Sequence, residues 1–160
     1  MTEDRVDEGI NPALREQYCF GCGRHNPLGF HLEFERDGGD VVARYTPRRE
    51  DSGYPGLMHG GLATLLLDEA MGWAMYADRV FAVTATMSTR FRRPVTLESP
   101  LLVRGRIDRQ RGRRIEVSAE LYDEDGERIV EASGLFLRMD AEAEARSLEV
   151  LRREFGTSLD

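Results

Sequence analysis

The stretch HGGLATLLLDEAMGWA, from His59 to Ala74, constrains the fold more than any other part of this chain. From Leu62 to Met75, ten apolar residues leave almost no polar face at helical spacing, and a helix apolar nearly all round is one surrounded by protein. A curved sheet must therefore wrap it, and a second copy of the chain is the expected cover for whatever the sheet leaves open. Two adjacent acids, Asp68 and Glu69, stand in the middle of this helix. Their side chains diverge by about 100° around the axis, so both cannot point into one site. Asp68, with Leu65 and Met71 on its own face, is expected to be paired or used, because a carboxylate in apolar surroundings is costly otherwise. Glu69 is expected to be its solvated or structural neighbour.

The flanking segments read as mixed α and β structure. Asn11-Pro12 has the cap and proline of a helix start running to about Tyr18. HLEFER and DVVARYTP, on either side of Asp37-Gly38-Gly39, predict a hairpin. Arg48 to Pro55 is a polar loop. In FAVTATMSTRFRRPV the apolar residues Phe81, Val83, Ala85, Met87 and Phe91 alternate with polar ones, predicting a long strand with one polar face. LLVRGRID, RIEVSAELYD and RIVEASGLFLRM follow with short turns between them, so a meander of four strands is expected after the helix. The tail carries Asp140 as a cap, early acids, late arginines, and Leu148, Leu151 and Phe155 on one face ahead of Gly156, which predicts a docked surface helix.

The chain of 160 residues is expected to form one domain over 1–160, with an N-terminal extension over 1–18 and the tail helix within 140–160. No apolar run approaches the roughly 20 residues of a membrane span, and the acidic start does not read as a secretion signal, so a cytoplasmic protein is expected. A net charge of −7 argues against general nucleic-acid affinity. All 22 basic residues are arginine, which excludes Schiff-base chemistry through a lysine.

The candidate chemistry gathers at the helix start. Gly60 and Gly61 would present backbone amides that lack intrahelical partners, and such an end stabilises negative charge developing on a carbonyl oxygen. His59 can cap the helix or orient a ligand. Arg90, Arg92 and Arg93 near a strand end could meet phosphates, whereas Arg109, Arg111, Arg113 and Arg114 read better as solvated turn residues. Cys19-x-x-Cys22 with His25 and His31 invites a zinc reading, but the pairs are too close for a zinc finger. A loop packed on the central helix is preferred, and no metal is expected.

His59-Gly60-Gly61 followed by Asp68, together with CFGCGRHNPLGFHLEF upstream and RFRRPV downstream, resembles hotdog-fold acyl-CoA thioesterases of the phenylacetate-pathway type. The resemblance spans Cys19 to about Met139. It implies a long central helix wrapped by a curved antiparallel sheet of five to six strands. It also implies a homodimer or dimer of dimers that hydrolyses acyl-CoA, with coenzyme A part of the substrate and no separate cofactor. Carried over to this chain, Asp68 is the general base or nucleophile, the Gly60 amide holds the thioester oxygen, and His59 orients the site. Thr84 corresponds to a hydroxyl residue contributed across the dimer. An asparagine common six residues before the histidine is replaced here by Gly53. A hotdog hydratase or dehydratase and a non-catalytic acyl-CoA-binding protein are the alternative readings.

Overall fold

The computed structural model describes residues 10–157. Residues 1–9 of the expected N-terminal extension lie outside that range. Strands β1 (Glu35–Asp37) and β2 (Asp40–Tyr45) precede the helix α1 (Gly60–Tyr76). Strands β3 (Ala82–Phe91), β4 (Leu101–Arg111), β5 (Arg114–Tyr122) and β6 (Arg128–Arg138) follow, and helix α2 (Ala141–Phe155) ends the described chain. All six strands form one antiparallel sheet in the order β1-β2-β4-β5-β6-β3.

That order corrects the four-strand meander. Only β4, β5 and β6 run in sequence, whereas β3 pairs with β6 at the far edge. The connection through α1 explains this placement: the chain leaves β2 near one edge, crosses the sheet face as a helix, and emerges where β6 is the free neighbour. Leu66, Leu67, Ala70, Met71, Trp73 and Met75 of α1 are buried against Val103, Ile115, Val117, Leu121 and Phe136 of the sheet. Gly105 on β4 permits the closest approach, since a Cβ there would lie 2.2 Å from the backbone oxygen of Ala70. The approach of helix to strand is therefore set by a missing side chain.

Two local expectations are also corrected. The helix capped by Asn11 is a single 3-10 turn, Pro12–Arg15, ended when Arg15 turns inward to the carbonyls of Cys22 and His31 and to Glu33. The first hairpin strand is only three residues long, although Leu32 and Phe34 are buried as expected. His31, at φ 53°, breaks the extended run ahead of them. The Arg48–Pro55 loop contains a 3-10 turn at Arg49–Asp51.

Strand β3 differs from its reading in an instructive way. A bulge at Ala85 lies between the pairs Thr84↔Phe136 and Thr86↔Leu135, and it reverses the alternation. Before the bulge, Ala82 is buried and Thr84 reaches α1; beyond it, Met87 packs on the core and Phe91 approaches Gly60. Both an even and an odd residue set thus contact the helix. The tail helix forms as read, with Asp140 accepting from the Ala143 amide and Gly156 left-handed at φ 67°. Leu148 and Leu151 line a groove with Leu14 and Tyr76, and Phe155 stacks on His25.

Glu120 on β5 shows how the sheet handles its buried charge. It accepts from Arg106 at 2.9 and 3.1 Å, from Tyr122 at 2.8 Å and from Arg128 at 3.3 Å. The Arg106 bonds outweigh burial and lower its pKa to about 2. A carboxyl depressed in the folded state stabilises above its ordinary pKa of about 4.3, and the contribution fades as pH falls toward the folded value. In denaturant titrations, wild type is expected to be more stable than Glu120→Gln at pH 7, with the gap closing as pH falls from about 4.5 to about 2. A gap independent of pH would contradict this assignment.

Candidate active site

Helix α1 starts where the sequence predicts. His59 is its N-cap, and its Nδ1 accepts from the Gly61 amide at 2.9 Å. That bond consumes one free donor and fixes the imidazole across the helix mouth. Gly60 is exposed, and its amide has no hydrogen-bond partner among the described residues. Phe91 closes over it, 3.5 Å from where a Gly60 Cβ would stand. A groove of about 480 Å³ opens here, lined by Tyr54, Leu57, Met58, His59, Gly60 and Phe91 among others. The walls are largely apolar and the end donates a hydrogen bond, which suits an acyl chain ending in a carbonyl.

The mouth is held in place by a residue that sequence reasoning overlooked. Asp51 is 2% exposed, and its backbone oxygen accepts from the His59 amide at 2.8 Å. Its carboxylate takes bonds from the Arg48 amide at 2.7 Å, the Arg48 guanidinium at 2.9 Å and the Tyr45 hydroxyl. Burial opposes the charge, but these bonds outweigh it and hold the carboxyl below its ordinary value. The only sequence signal was an acid followed eight residues later by the histidine. Gly53 has its own packing role: a Cβ would come within 3.0 Å of the His59 Cα, so an asparagine would crowd the mouth.

The two acids divide as the 100° argument requires, Glu69 taking the structural one of its two expected settings. Asp68 is half-buried, with Gly61, Thr64, Leu65 and Gly72 on the helix face that the chain's own sheet leaves partly open. Its Oδ1 accepts from Thr84 Oγ1 at 2.9 Å. Thr84 therefore orients the Asp68 of its own chain. Glu69 is not solvated. It turns toward the Cys19–Cys22 loop, where Cys19 Sγ donates to its Oε1 at 3.1 Å. Burial raises its pKa to about 8.

Gly60 and Asp68 are separated by eight residues of regular helix, about 12 Å along the axis. One thioester carbonyl cannot be held at Gly60 and attacked from Asp68 of the same chain. Other expected contributors are dispersed. Arg92 is engaged with Glu131 at 2.9 Å, whereas Arg90 and Arg93 are exposed. His25 bonds Glu16 and His31 is exposed, so neither histidine joins the two cysteines.

A six-stranded antiparallel sheet around one long helix is the hotdog arrangement, and the comparisons agree. Residues 55–130 match the family model described as "Thioesterase superfamily". The bovine (Bos taurus) "Acyl-coenzyme A thioesterase THEM4" is 33% identical over 150 residues, which cover 88% of this chain and 62% of that protein. The crystal structure of RHA08564, a thioesterase superfamily protein, superposes with a TM-score of 0.72 at 30% identity, covering 82% of this chain and 67% of that one. The E. coli PaaI protein of the phenylacetic acid degradation operon has a TM-score of 0.65 at 19% identity, with 69% and 81% covered. A Streptococcus pneumoniae TIGR4 hypothetical thioesterase, solved with coenzyme A, has a TM-score of 0.64 at 20% identity, with 68% and 88% covered. The last two show the shared fold. The chain belongs to the thioesterase superfamily. It spans 62% of the length of its bovine relative.

Proposed function

We propose that this protein hydrolyses acyl-CoA thioesters in a site shared between two copies of a single 1–160 domain. The observation that carries the shared site is the separation of about 12 Å between Gly60 and Asp68 on one helix. In the assembled site, the Gly60 amide of one protomer holds the thioester oxygen while Asp68 of the other supplies the basic carboxylate. The edge strand β3 supports the pairing. It is ten residues long, has no neighbour on its outer side among the described residues, and leaves Val83 51% and Phe91 46% exposed.

The chemistry follows from the parts. The Gly60 amide and the helix dipole stabilise the oxyanion as the carbonyl is attacked. Asp68, fixed by Thr84, takes a proton from a water that attacks the carbonyl, or attacks it directly to form an acyl-aspartyl anhydride that water then hydrolyses. In either route the C–S bond breaks and CoA leaves as the thiolate. Protonation of the departing CoA thiolate completes hydrolysis to acid and thiol. Arg90 and Arg93, exposed at the end of β3, are available to the CoA phosphates; Arg92 would have to give up Glu131. No helix of the described residues is long and apolar enough to cross a membrane, and we assign the activity to the cytoplasm.

The test is thiol release from short, medium and aromatic acyl-CoAs, with enoyl-CoA hydration followed in parallel. Turnover of thioester without hydration is expected; hydration alone, or tight binding without turnover, would overturn the reading. The shared site is tested by co-expressing Asp68→Asn with His59→Ala. If the site is shared, a mixed dimer retains one intact site and recovers activity that neither variant has alone. With both groups in one chain, nothing recovers.

A further inference from the structure

Thioester chemistry leaves one cluster of ligating groups unused. Sγ of Cys19, Sγ of Cys22 and a carboxylate oxygen of Glu69 lie within 4.8 Å of one another. Among the described residues, two buried side-chain polar atoms lack a hydrogen-bond partner, Glu69 Oε2 and Trp73 Nε1. Both border this cluster, since Trp73 is one turn beyond Glu69 on α1 and its indole lies beside Cys22 Sγ. Leaving such groups unsatisfied costs about 1–3 kcal/mol each. The loop is also shaped around the acid: a Cβ on Gly21 would fall 2.1 Å from Glu69 Cγ.

We propose that Cys19, Cys22 and Glu69 bind one Zn²⁺ ion, with the fourth position open to water on the half-exposed side of Cys19. Zinc takes thiolates at about 2.3 Å and carboxylates at about 2.0–2.2 Å, so tetrahedral geometry sets sulfur atoms about 3.8 Å apart. From separations of at most 4.8 Å, the side chains need to close by no more than about 1 Å. Thiolate donors select zinc over magnesium and calcium, which seek oxygen sets. On binding, two Zn–S bonds and a Zn–O bond form, and the protons held by the thiols and the acid pass to the buffer.

The ion would answer both unsatisfied atoms. With the Zn–O bond made through Glu69 Oε2, that oxygen gains its partner, and the Cys22 thiolate becomes an acceptor for the Trp73 indole N–H. The consequence is mechanical: the Cys19–Cys22 loop is fastened to α1 one residue from Asp68, so the metal would position the helix without touching substrate.

The test uses the full chain, stripped with chelator and kept reduced. Zn²⁺ is titrated against a chromophoric competitor, and Co²⁺ is substituted for spectroscopy. We expect one ion per chain with Kd below about 1 μM, and a cobalt spectrum with thiolate charge transfer. Cys19→Ser and Cys22→Ala should each weaken binding by more than about 100-fold, giving two independent readings should one variant fold poorly. Glu69→Gln should keep the charge-transfer band while weakening binding at least about tenfold. Binding unaffected by loss of either cysteine, a tetrahedral cobalt spectrum without thiolate charge transfer, no ion bound, or Glu69→Gln equal to wild type would overturn the site.

Discussion

Replacing Asp68 with asparagine is expected to lower kcat for acyl-CoA hydrolysis by about 10²–10⁴-fold, with KM near the wild-type value. The substitution removes the basic oxygen and little else. Asparagine Oδ1 can still accept from Thr84 Oγ1, which bonds Asp68 at 2.9 Å, so the local fold should persist and a loss of rate reports chemistry. Glu69→Gln is the matched control, because that carboxyl faces Cys19 and not the open side of α1. It should change the barrier by less than about 1.4 kcal/mol, under tenfold in kcat. Steady-state thiol release separates the two. If Glu69→Gln alone abolished turnover, the acids would have been assigned in the wrong order.

Gly105→Ala is expected to cost about 3 kcal/mol of stability, a large effect for one methyl group. The added carbon would meet the Ala70 backbone at 2.2 and 2.5 Å, and neither a helix interior nor a central strand yields easily. For a chain of this size the loss corresponds to a fall in Tm of roughly 6–12 °C. Gly39→Ala, in the β1–β2 turn with nothing within 4 Å and no positive φ, should change stability by less than about 0.5 kcal/mol. Thermal unfolding of the two variants provides the comparison, and equal losses would show that helix and strand can separate freely. Since Ala70 is two residues beyond Asp68, a shifted helix would also lower activity in whatever fraction stays folded.

Features set by neighbours in sequence were legible before the structure. The His59 cap, the Asp140 and Gly156 ends of α2, and the Gly38-Gly39 turn rest on backbone groups within a few residues of each other. What escaped depends on distant parts of the chain. The pairing of β3 with β6 follows from α1 crossing the sheet, and no local pattern encodes that crossing. The bulge at Ala85 hides within a clean alternation, because a phase change shows only against the partner strand. Helical geometry did require Asp68 and Glu69 to diverge. Which one faces solvent was decided by the Cys19–Cys22 loop, about fifty residues upstream and folded over Glu69. Asp51 was missed for the same reason: its role is a backbone bond to His59 made by a turn that charge patterning does not reveal.

A crystal structure with a 2-oxoalkyl-CoA, a thioether in which a methylene between carbonyl and sulfur prevents hydrolysis, tests the shared site. The carbonyl oxygen should lie about 2.7–3.1 Å from the Gly60 amide of one protomer, with the carbonyl carbon facing Asp68 of the second. An analogue bound away from Gly60, or with its carbonyl carbon facing the Asp68 of the protomer whose Gly60 holds it, would contradict the shared site.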